Sequence, residues 1–64
     1  MNKYYELKRG IEKIQILVNN LGYHIAEEGM VMNIQTSSRK QAIKEVKEFI
    51  QKKVEEGFEI IEGG

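Results

Sequence analysis

The chain has no cysteine, no proline, no tryptophan and no aspartate, and it carries a single histidine. Without cysteine there is no disulfide and no thiolate metal site, and one histidine cannot build a zinc site unaided. His24 has no Cys, Ser or Asp close in sequence, so the partners that acid–base or nucleophilic chemistry requires are missing. An excess of either charge is also lacking: ten Lys and Arg balance ten Glu, for a net charge of +0 and a pI of about 6.6. A dedicated nucleic-acid coat would be more basic, so anion binding would have to rest on a local patch. No uninterrupted apolar run exceeds three residues, as in Ile16-Leu17-Val18, far short of the roughly 20 that span a bilayer. The first residues show no basic region followed by an apolar core, so no secretory signal is expected and the cytoplasm is the expected compartment.

What is present is a 64-residue chain, enough for one domain over residues 1–64. A domain this small buries little of its surface and is marginally stable. With neither disulfide nor metal, its stability has to come from packing or from a second subunit.

The clearest element is a helix with both ends written into it, over about 38–56. Ser38 is a good N-cap, and Gln41 three residues on completes a capping box. Ala42, Ile43, Val46, Phe49, Ile50 and Val54 recur at helical spacing and form one apolar stripe. Gly57 is a natural left-handed stop, with Phe58 placed to fold back on the last turn.

Everything before Ser38 alternates with period two. Strands are predicted over about Lys3–Lys8 and Lys13–Val18, joined by a turn through Arg9-Gly10-Ile11-Glu12. Asn19-Asn20-Leu21-Gly22 marks a break, Tyr23–Ala26 a short third strand, and Glu27-Glu28-Gly29 another turn. Met30–Thr36 sets Met30, Met32 and Ile34 against Val31, Asn33 and Gln35. Phe58, Ile60 and Ile61 fit a last short strand. Strands followed by a helix imply an α+β fold: a small antiparallel sheet of three to five strands packed against one C-terminal helix. The expected core is Tyr5, Leu7, Ile14, Ile16, Val18, Met30, Met32, Ile34, Ile43, Val46, Phe49, Ile50, Val54 and Phe58.

Few residues suggest chemistry. His24 reads as a surface or edge-strand histidine, and Glu27 and Glu28, being adjacent, face opposite ways in extended chain. Met30 and Met32 read as core by their alternation. No catalytic set, cofactor site or metal site is expected. The helix ends are more unusual. Arg39 and Lys40 occupy the first turn, where the macrodipole prefers acids, while Glu55 and Glu56 occupy the last. A basic first turn beside free backbone N–H groups suits an anion. Lys44 lies one turn further on, and Lys8 and Arg9 join the patch if the first hairpin lies near. The alternative is an ordinary solvated face with helical pairs Lys44–Glu48 and Glu48–Lys52.

The opening Lys3-Tyr4-Tyr5-Glu6-Leu7, the second strand ending in a Gly-containing turn, and the block from Ser38 to Gly57-Phe58 together resemble the WGR domain. That family opens with an aromatic-Tyr-Glu-Leu type strand and closes with a Ser-capped helix ending in Lys-Gly-aromatic. The resemblance spans nearly the whole chain and rests on structural positions. The family's Trp-Gly-Arg triplet is replaced by Val18-Asn19-Asn20, with Gly22 matching the glycine that follows it. Arg39 and Lys40 stand where the family has an acidic helix start. The resemblance implies the fold and a binding role, and it transfers no functional residue.

The expected function is a non-enzymatic, WGR-like binding module with weak nucleic-acid affinity, its contact candidates being Lys8, Arg9, Arg39, Lys40 and Lys44. The alternative is a protein-interaction module or homodimer that uses an exposed strand edge, such as the first or last strand.

Overall fold

A computed structural model describes residues 2–63. Five strands and one helix follow in the order β1 (Lys3–Arg9), β2 (Glu12–Val18), β3 (Gly22–Glu27), β4 (Met30–Gln35), α1 (Arg39–Glu55) and β5 (Glu59–Glu62). The strands form one antiparallel sheet in the order β4-β3-β2-β1-β5. This is the α+β architecture of antiparallel sheet and C-terminal helix that the sequence predicts.

Local chemistry explains each junction. Arg9 pairs with Glu12 across Gly10 and Ile11, with Gly10 at φ +61°. Glu28 and Gly29, at φ 48° and 78°, form the two-residue turn between β3 and β4. Positive φ at both positions is the type I′ geometry that matches strand twist. The Leu21 N–H donates to Asn19 Oδ1 at 3.1 Å, shaping the turn between β2 and β3. At the start of α1 the Gln41 N–H donates to Ser38 Oγ at 3.1 Å. At its end Gly57 adopts φ +105°, its N–H donates to the Val54 carbonyl, and the Phe58 N–H donates to the Lys53 carbonyl, each at 3.0 Å. Those two bonds are the Schellman pattern.

The helix leaves the end of edge strand β4, crosses one face of the sheet, and delivers the chain to the opposite edge. The buried core under it is Tyr5, Leu7, Ile14, Ile16, Val18, Tyr23, Ile25, Ala42, Val46, Ile50 and Phe58. Several expected core residues lie elsewhere. Met30 and Met32 are 67% and 41% exposed and Val54 is exposed, while Ile34, Ile43 and Phe49 pack on the core half-buried. Alternation correctly places Met30, Met32 and Ile34 on the helix side, opposite Glu27, Ile25 and Tyr23. The helix, however, packs chiefly over β2 and β3 and stops short of the first half of β4. Tyr23 and Ile25 take the places under the helix that the two methionines were expected to fill.

Candidate binding surfaces

The basic candidates divide between the two ends of the helix. Arg9 sits at the C-terminal end: its Nη1 donates to the Glu56 carbonyl at 2.6 Å, its Nη2 lies 2.8 Å from Glu12, and its guanidinium lies 4.4 Å from the centre of the Phe58 ring. The arginine therefore compensates the negative end of the helix, where a cation is favoured. This pairing holds the Glu12 carboxyl below its ordinary range, the bond from Arg9 being the first cause. Lys8 is exposed on β1, opposite Lys13 and Glu59. Since α1 has 17 residues, at about 1.5 Å each its start is roughly 25 Å away. The first hairpin thus lies at the wrong end to extend a patch at Arg39, and Lys8 and Arg9 do not join it.

At the helix start Arg39 is half-buried, and its Nη1 is buried without a hydrogen-bond partner among the described residues. Lys40 and Lys44 are exposed and share an open groove with Lys47, lined also by Ser38, Gln41, Ile43 and Glu48. Lys47 was missed in sequence, although its spacing of seven from Lys40 puts it in the same row. The described ion pairs of α1 belong to Lys53, which lies 3.2 Å from Glu27 and 3.5 Å from Glu56. Partial burial alone would lower the Lys53 pKa, but the two carboxylates outweigh it and hold it above its ordinary value. The expected pairs Lys44–Glu48 and Glu48–Lys52 are not among those described.

His24 lies on the sheet face away from the helix, half-buried between two asparagines. Its Nδ1 contacts Asn33 Oδ1, and its Nε2 lies 3.2 Å from Asn19 Nδ2. Asn19 Oδ1 already accepts from Leu21, which orients the amide so that Nδ2 donates to the ring. The imidazole therefore links β3 to β4 and to the turn that follows β2. Tyr23, on the other face, donates to Glu45 Oε1 at 2.8 Å and ties β3 to the helix. Burial, then the bond to Glu45, pushes the phenol up to about 12. Hydrogen bonds from Gln41 and then Tyr23 hold the Glu45 carboxyl below its ordinary range.

The sheet edges are the remaining surfaces. β1 is paired on both sides, so the first strand is no edge. The last strand, β5, is one edge and β4 the other. In β4 the turn at Glu28-Gly29 makes Glu27 and Met30 a hydrogen-bonded pair. Alternation then turns the N–H and C=O groups of Met30, Met32 and Ile34 toward β3, and those of Val31, Asn33 and Gln35 outward. The Thr36 N–H, donating to the Leu21 carbonyl at 2.8 Å, keeps the same parity. Val31, on the open face, is 65% exposed. β4 thus presents unpaired backbone groups with Met30 and Met32 exposed on one face and Val31 on the other, and it contains no charged residue. Its lack of charge was readable in the sequence; its place at the sheet edge was not.

Among the described residues no group of three or more His, Cys, Asp or Glu could hold a metal, and no helix is long and apolar enough to cross a membrane. Compared with known proteins, the chain matches no family model, no curated protein and no solved structure.

Proposed function

We propose that this chain is a non-enzymatic, cytoplasmic binding module that receives a protein strand along the outer edge of β4. The observation that carries this reading is the uncharged six-residue edge with Met30, Val31 and Met32 exposed on its two faces. In strand addition, main-chain hydrogen bonds supply affinity and alternate side chains supply specificity. Edges of this kind pair readily unless charges, proline or bulges block them. The direct test is a titration of dilute protein with an acetylated, amidated octapeptide of alternating Val and Thr, followed by amide chemical shifts. Shifts at Val31, Asn33 and Gln35 that persist at high salt are expected. An octapeptide that leaves these amides unmoved at every concentration refutes the reading.

A second reading is supported by the row Lys40, Lys44 and Lys47, three exposed lysines along one groove. Here the module is WGR-like and contacts nucleic-acid phosphates weakly through the start of α1. Phosphate contacts weaken steeply with salt. Short duplex and single-stranded oligonucleotides should then shift the amides of Ser38–Lys47 at low salt and lose the effect at high salt.

A further inference from the structure

We infer that the strand received by β4 is β4 of a second copy of this chain, paired antiparallel about a two-fold axis at Asn33. The inference rests on the strand-addition reading and names its occupant.

The backbone restricts the geometry. The outward groups of β4 belong to Val31, Asn33 and Gln35, so two copies can exchange hydrogen bonds only if odd-numbered residues meet odd-numbered residues. Directly opposed residues of an antiparallel pair share a face. Odd-to-odd pairing therefore brings even to even, and both helices lie on one side of a continuous ten-stranded sheet, five strands from each copy. Among such registers, the one with Asn33 opposite Asn33 of the second copy engages all three outward residues, because Val31 then faces Gln35. On the helix side Met32 faces Ile34 of the other copy. Met30, which α1 leaves uncovered together with Met32, then lies opposite Thr36 of the other copy.

Charge and closure favour a second copy over another strand. β4 carries no charged residue, so two identical strands meet without like charges in opposition. An isolated peptide would satisfy β4 and leave its own outer edge unpaired. A second copy satisfies both edges at once and closes the assembly, as an isologous interface requires. β5 suits self-pairing less, being four residues long, bounded by Glu59 and Glu62 and slipped in register against β1.

The test uses the intact chain and its lack of cysteine. Sedimentation equilibrium should show a mass rising with concentration from 7.4 kDa toward twice that value. Val31→Pro removes an outward N–H that the monomer does not use, and it should remain monomeric with an unchanged amide fingerprint elsewhere in the sheet. Two single-cysteine variants read the register. Asn33→Cys should oxidise to a covalent dimer, since opposed Cα atoms of a hydrogen-bonded pair lie about 5.5 Å apart. Val31→Cys should not, because its copies would be offset by about 13 Å along the strand. Rapid cross-linking of Val31→Cys but not Asn33→Cys overturns the register, and an undiminished dimer in Val31→Pro overturns the surface. A wild-type mass that stays at the monomer value at every concentration overturns the second copy. In that case octapeptide-induced shifts at Val31, Asn33 and Gln35 would preserve strand addition with another occupant, and their absence would end both ideas.

Discussion

The two edges of this sheet are built in opposite ways. β5 has four residues, begins and ends in glutamate, and slips register against β1: Glu62 faces Glu6 and Ile60 faces Leu7, leaving Ile61 without a partner. Shortness, charge and a bulge are the usual means of discouraging strand addition. β4 has six residues in unbroken register with β3 and carries none of these features. The helix reinforces the contrast, for it begins at the end of β4 and leaves Met30 and Met32 in the open. An apolar groove of about 410 Å³ remains on the β5 side, between Tyr5, Ile50, Val54 and Ile60, but Lys47, Gln51 and Glu55 also line it. The lesson is that edge protection belongs to individual strands: one edge is blocked by its own residues, the other left available.

The largest expected effect tests whether the core closes near β5 and stays open near β4. Phe58, on the segment entering β5, is 5% exposed, whereas Phe49, in the half of α1 that ends at the Lys53–Glu27 pair, is half-buried. Phe58→Ala should cost about 3–5 kcal/mol, and Phe49→Ala only about 1–2 kcal/mol in the monomer, in line with the smaller apolar area lost. Urea denaturation of dilute protein measures both, and equal losses would break the comparison.

Two glycines sharpen it next. A Cβ at Gly22 would strike the Ile34 carbonyl oxygen, and one at Gly63 would strike the Tyr4 carbonyl oxygen. Gly22 is held in β3 with β4 docked against it, so Gly22→Ala should destabilise by roughly 1–3 kcal/mol. Gly63 follows β5 near the chain end and can swing away, so Gly63→Ala should cost less than about 1 kcal/mol despite its φ of +84°. A larger loss from Gly63→Ala would mean that the β5 edge is the more firmly anchored of the two.

The pH dependence probes the tie that holds α1 over β3 and away from β4. Tyr23 binds its proton more tightly folded than unfolded, so its contribution is complete below pH 10. It should be lost as pH rises through about 12. Glu45 has the opposite sign: its depressed pKa gives stability above the ordinary carboxylate range, lost as pH falls through the folded value. Tyr23→Phe should flatten the alkaline slope of thermal melts recorded against pH. An unchanged slope would show that this tie does not position the helix.

The smallest effect lies at the helix start. Exposed Lys40 opposes the macrodipole, and Lys40→Glu should stabilise the fold by about 0.3–1 kcal/mol at low salt. Octapeptide binding at β4 should not change, while any oligonucleotide binding should fall. Arg39 is unsuited to the same exchange because its side chain is half-buried, with Nη1 enclosed.

The elements whose causes are local were legible in the sequence. The helix is bounded where Ser38 and Gly57-Phe58 bound it, because a cap is a contact between residues a few positions apart. The turn at Glu27-Glu28-Gly29 and the alternation through β4 are local as well, and together they establish the antiparallel sheet and its covering helix. The rest depends on packing between residues far apart in the chain. Period two says that Met30, Met32 and Ile34 share a face; it cannot say how far across that face the helix reaches, which depends on how α1 crosses the strands. The same crossing sends β5 to pair with β1, so the first strand is internal and β4 becomes a free edge. It also brings Arg9 to the C-terminal end of α1 and separates it from Arg39, Lys40 and Lys44, because the helix runs from the far end of β4 toward the first hairpin.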